Sequence, residues 1–283
     1  MSSKIKRTAA LIIIAALVIL ACVPAYAKSS KTAKNNNSTV SYEDYIDSVI
    51  EIFNKENKTS DSAAGQQVNG AYRITQLLEV MAYELDTDEI NAPYIADIMD
   101  AFADNDVKCE NAAQQLVNGL YRSVELLELI CYETDTEAQY DEYVASVMDS
   151  FAQNDKISDS AAQQAANGAY QCVKLLQVIA YALDSEGLYA DYIDSIMELF
   201  ASNDEECTTA NQQLVNGTYR MVQLLEVIDY ETDTKSEYDD HVDSVMKSFS
   251  SDDAKCKSAA QQAVNGLYKS VQLLEVAVRA LCR

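Results

Sequence analysis

Apolar residues return along this chain in two alternating stripes, one short and one long, with polar residues between them. Tyr45, Ile46, Val49, Ile50 and Phe53 sit at i, i+1, i+4, i+5 and i+8, which predicts one buried face of a helix of about 13 residues. The long stripe places Ala113, Val117, Leu120, Val124, Leu127 and Cys131 at steps of four and three, and Leu116, Tyr121, Leu126 and Ile130 widen it. It predicts a second helix running roughly from Asn111 to Glu133. The polar stretch from Ala103 to Asn111 reads as the turn between the two, and Pro93 falls where the first turn of a short helix tolerates proline. A helix apolar over so much of its circumference needs more than its own hairpin partner to bury it.

The two stripes recur as a unit. Asn-Gly stands at 69-70, 118-119, 167-168, 216-217 and 265-266, each 49 residues after the last, and Phe53, Phe102, Phe151, Phe200 and Phe249 keep the same interval. This is a tandem array. The copies span 42-90, 91-139, 140-188, 189-237 and 238-283. The expected architecture is therefore all-α, five helical hairpins stacked as an α-solenoid. It is similar in shape to tetratricopeptide arrays but lacks their motif residues, so the likeness carries shape and no chemistry. The last copy ends Val276-Ala-Val-Arg-Ala-Leu-Cys-Arg283 where earlier copies carry Tyr and an acidic exit, as a terminal cap would.

The chain start has a different character. Lys4, Lys6 and Arg7 precede a mostly apolar run from Thr8 to Val23, and Ala25-Tyr26-Ala27 offers a small-residue cleavage site. These features predict a signal peptide over 1-27 and a secreted or cell-surface protein. The apolar run is short for a bilayer span of about 20 residues, so no membrane span is expected after its removal. Ile19-Leu20-Ala21-Cys22 also resembles a lipoprotein box, which leaves lipid anchoring at Cys22 as an alternative. Residues 28-41 are polar and unpatterned and read as a flexible linker. The whole chain carries a formal charge of −24, and loss of the signal makes it more negative by three. Such a surface repels nucleic acid and favours cationic partners.

Candidate chemistry lies in the polar positions of the second helix. Gln66, Asn69 and Arg73 recur as Gln115, Asn118 and Arg122, then Gln164 and Asn167, then Gln213, Asn216 and Arg220, then Gln262, Asn265 and Lys269. Spaced three and four apart, they predict polar rows that could hold an extended peptide or glycan, since amides both donate and accept. The competing reading is a solvated face with Arg122 paired to Glu125. Gly inside a helix costs about 1 kcal/mol against Ala, so its recurrence asks for a reason: close helix approach, a helix break, or inheritance from the duplicated ancestor. Tyr45, Tyr94, Tyr143 and Tyr192, with His241 in the same phase, read as core rings with wetted hydroxyls. Six cysteines follow the signal, and their pairing is open. The acidic turns Asn105-Asp106, Asn203-Asp204 and Asp252-Asp253 lack the ligand order of a calcium loop, and no metal or cofactor is expected. With no nucleophile, base or metal constellation, the chain reads as a non-catalytic binding scaffold for a peptide, glycan or host protein. The alternative is a self-associating extracellular matrix protein.

Overall fold

A computed structural model describes residues 41–283; the signal segment, Cys22 and linker residues up to 40 lie outside the described residues. Among the described residues there are ten helices and no strands: α1 (Tyr42–Thr59), α2 (Ala63–Leu85), α3 (Ala92–Lys108), α4 (Ala112–Thr134), α5 (Asp141–Ile157), α6 (Ala161–Leu183), α7 (Ala190–Glu206), α8 (Ala210–Thr232), α9 (Asp239–Asp253) and α10 (Ala259–Leu281). Each long, even-numbered helix opens with Ser62, Asn111, Ser160, Thr209 or Ser258, whose side chain accepts the amide three residues on. The odd helices have 15 to 18 residues, longer than the apolar stripe alone implies. In α3 the last turn carries an inward carboxylate: Asp106 is buried and accepts from the Tyr72 hydroxyl of the preceding copy.

The even helices run unbroken through their Asn-Gly pairs, so the glycines mark no break. They mark close approach. A Cβ on Gly119 would lie 3.0 Å from Ala71 Cβ, one on Gly168 3.0 Å from Leu120 Cβ, and one on Gly217 3.0 Å from Ala169 Cβ. Matching levels of successive copies meet, as Thr75 Oγ1 donating to Gly119 O and lying 3.1 Å from Ser123 Oγ also shows. The even helices are therefore parallel and in register.

An open stack would leave α2 and α10 each with one bare flank. Instead α10 packs on α2 much as α2 packs on α4, and α1 touches α10 as well as α2. The closing contact repeats the apolar pattern of the others. Gly70 faces Leu267 as Gly119 faces Ala71, and Tyr268 meets Phe53 edge to face at 4.8 Å. The same ring pair recurs as Tyr72–Phe102, Tyr121–Phe151, Tyr170–Phe200 and Tyr219–Phe249 at 4.6 to 4.8 Å. The solenoid expectation is corrected accordingly: the five long helices form a closed ring, and the short ones lie outside it, each in the groove between two long ones. The physical reason is burial, since each long helix is apolar on both flanks and closure supplies the end copies with the neighbour each lacks. Leu78, Leu127, Leu176, Leu225 and Leu274 are all buried. They lie between the two neighbour-facing edges and away from the short helices, and so fill the centre.

The connections between copies share one device. Asp86, Asp135, Asp184 and Asp233 accept the backbone amide five residues on, at Asn91, Tyr140, Tyr189 and Tyr238. The chain turns through positive φ at Glu89, Ala138, Gly187 and Ser236, and the amide of that residue returns to the Asp carbonyl. The phased tyrosines differ from expectation. Tyr45 is buried, but Tyr94, Tyr143 and Tyr192 are 46%, 40% and 38% exposed on the outer surface. All six cysteines of the described part are unpaired.

Candidate functional site

The recurrent polar residues turn inward and hold the ring. All five asparagines are buried, and each donates Nδ2 to the Phe carbonyl of its own hairpin: Asn69 to Phe53, Asn118 to Phe102, Asn167 to Phe151, Asn216 to Phe200 and Asn265 to Phe249, at 2.9 to 3.1 Å. Gln115, Gln164, Gln213 and Gln262 donate to Asp106, Asp155, Asp204 and Asp253, the carboxylates that also take the Tyr72, Tyr121, Tyr170 and Tyr219 hydroxyls. Gln66 lies at the equivalent point of the first copy, half-buried.

The basic position is equally engaged. Arg73 is buried, bonded to Gln76 at 2.6 Å and 3.5 Å from Glu56. Arg122 pairs with Glu125 at 2.5 Å, Arg220 with Gln223, and Lys269 with Asp252 at 3.2 Å. These side chains do not form open rows, because each finds a partner on its own helix or on the short helix outside it. The acidic turns are occupied in the same way, with Asp106, Asp204 and Asp253 serving tyrosine and glutamine donors. Among the described residues no three His, Cys, Asp or Glu side chains are grouped to hold a metal, and no helix is long and apolar enough to cross a membrane.

The third copy departs from this pattern at four positions on one helix; Gln177, where the other copies have Glu79, Glu128, Glu226 and Glu275, accepts from Tyr143, and the other three line one groove. Ala166 stands where Val68, Val117, Val215 and Val264 stand elsewhere; Gln171 replaces Arg73, Arg122, Arg220 and Lys269; and Lys174 replaces Gln76, Glu125, Gln223 and Gln272. The positive charge has moved three residues along α6, nearly one turn, and stays on the same face, while a side chain has been trimmed below it. A groove of about 430 Å³ opens there, between the third and fourth copies. Asn154, Ile157 and Ser158 form one rim, Ala166, Tyr170, Gln171 and Lys174 the floor, and Asp204 and Gln213 the far side.

Its chemistry is uneven. Asp204 Oδ1 accepts from Tyr170 at 2.6 Å and Gln213 at 3.1 Å. Burial and that bond to Asp204 push the Tyr170 hydroxyl well above its ordinary range, so it is a neutral donor at any physiological pH. Gln171 is buried and gives Nε2 to Asn167 Oδ1 at 2.9 Å, which leaves its Oε1 with no donor. Half-burial lowers Lys174 below the ordinary lysine value, and the nearby Asp204 opposes the shift. A second groove of about 440 Å³ at the opposite end of the ring is lined by the turns of Asp135 and Asp184. Those two carboxylates already hold backbone amides. Residue-type reasoning passed over Ala166 and Lys174, which comparison of the five copies column by column would have found; it weighed Asp204 only as part of an acidic turn. No family model, curated protein or solved structure matches the chain.

Proposed function

We propose that this is an exported, non-catalytic binding protein, a ring of five repeated helical pairs that takes a segment of peptide, glycan or host protein into the groove between its third and fourth copies. One observation carries the reading: the groove lies where three residues of α6 depart together from the repeat, and they place a cation and an unpaired acceptor side by side. Drift from a duplicated ancestor scatters changes, whereas a ligand site concentrates them on one face. The self-associating matrix reading rests on the outward tyrosines Tyr94, Tyr143 and Tyr192. It has less support, because a closed ring has no bare end hairpin for a second ring to extend.

Peptide and glycan arrays probed with the purified protein and with its Ala166→Val variant test the proposal. Valine is the residue of the other four copies, so the variant keeps the fold and narrows the groove. Binding that the variant weakens at least tenfold is expected, and binding indifferent to it removes the groove as the site. Light scattering over a concentration series tests the matrix reading, which requires growth beyond the monomer.

A further inference from the structure

The groove lacks specific things, and what it lacks describes its ligand. Lys174 makes no ion pair or hydrogen bond among the described residues, although the chain holds 45 acidic residues against 21 basic ones. Of the other buried or half-buried basic groups in these helices, Arg73, Arg122, Lys269 and Arg279 each sit within 3.5 Å of a carboxylate, and Arg220 bonds Gln223. A half-buried ammonium whose nearest counter-charge, Asp204, makes no direct ion pair with it loses hydration that is only partly offset, so an anion brought by a ligand is favoured there. One turn away, the buried Gln171 Oε1 lacks a donor, as Asn69, Asn118 and Asn216 Oδ1 do in other copies, but Gln171 borders the groove, where a ligand N–H or O–H can approach it. Asp204 offers a further acceptor on the far side, its Oδ2 taking no bond from the protein.

One cation beside unmet acceptors is the complement of a carboxylate that follows an amide N–H. We infer that the groove receives the free carboxy-terminus of an extended peptide, its terminal carboxylate on Lys174 and its last amide N–H directed to Gln171 Oε1. The space freed by alanine at Ala166 takes the last side chain. Because the surface around this single cation is strongly acidic, the body of the peptide is neutral or basic. This rests on the groove being the binding site proposed above.

The test is fluorescence anisotropy with carboxy-terminally randomised, lysine-containing hexapeptides, each made as the free acid and as the amide. Two variants of the purified protein restore residues of other copies and so keep the fold, Lys174→Gln and Ala166→Val, with melting curves as the control. Free-acid peptides are expected to bind, and both amidation and Lys174→Gln are expected to weaken them at least tenfold, with a steep salt dependence. Equal binding of acids and amides, still weakened by Ala166→Val, overturns the carboxylate assignment and keeps the groove. Peptide binding that neither substitution alters overturns the groove as well. Failure of every peptide, with a phosphate or acidic-sugar probe bound through Lys174, overturns the peptide class alone.

Discussion

Four of the five interfaces in the ring join copies adjacent in the chain, and the fifth joins copies with no covalent link between them. The apolar geometry of the two kinds is the same, down to the glycine contact and the edge-to-face Tyr–Phe pair. The polar chemistry differs. Each linked interface holds a Tyr–Asp hydrogen bond, but at the closing one Asn57 stands in place of the aspartate and the Tyr268 hydroxyl has no carboxylate to donate to. In exchange, Arg279 bridges Asp47 at 2.6 Å and Glu275 at 3.0 Å, and Gln67 donates to Ala260 O at 3.2 Å. Asp47 is largely exposed, and such pairs contribute about 0–1 kcal/mol. The ring is thus closed by shape and burial, and the buried polar bonds refine the interfaces that the chain already holds together.

The most severe test removes the last hairpin, residues 238–283. An open array would lose roughly a fifth of its helix signal and stay monomeric. The ring loses two interfaces at once, so we expect no cooperative melt and aggregation on size exclusion; a folded monomer would rule out closure. Next in size, Gly119→Val and Gly70→Val place a branched side chain against a neighbouring helix at a linked and at the closing interface. Each should cost about 3 kcal/mol in urea unfolding, and a harmless Gly70→Val would mean that the closing contact is loose.

A pH series probes the first copy, next to the closure. Burial lifts the Glu79 carboxyl to about 7, only partly offset by the Tyr45 hydroxyl that donates to it at 3.0 Å. The folded state therefore keeps a proton that the unfolded chain releases near its ordinary value of 4.5. The contribution of this group is complete below that value and declines as pH rises towards 7, on the order of 2–3 kcal/mol in total. Glu79→Gln should flatten that slope. The smallest test compares hydroxyls. Tyr219→Phe removes a bond to Asp253 and should cost about 1–2 kcal/mol, whereas Tyr268→Phe should cost close to nothing. Asn57→Asp should give Tyr268 its acceptor and recover about 0.5–1 kcal/mol.

Helix count, helix order and the inner helices were legible because periodicity and capping are local. Closure was not, because it depends on the rotation from one copy to the next, which no single copy encodes. A signal existed all the same. An open array caps its last helix with a polar outer face, and Val276-Ala277-Val278 offers none. The inward turn of the polar rows was not legible for a related reason: each Asn bonds the Phe carbonyl of its own hairpin, and a spacing shared by every column of the repeat does not show which columns meet. The exposed Tyr94, Tyr143 and Tyr192 share a phase with the buried Tyr45, so phase alone did not separate them.

Closure also fixes how such a chain can change its length. A linear array gains or loses a copy at its end and remains foldable, since each unit needs only its neighbours. Here every copy supplies a fifth of a full turn, and a sixth would arrive with no gap to enter. A change in copy number must therefore be matched by a change in the rotation from one copy to the next, whereas substitution within copies leaves the closure untouched. The three changes gathered at the α6 groove are of that second kind.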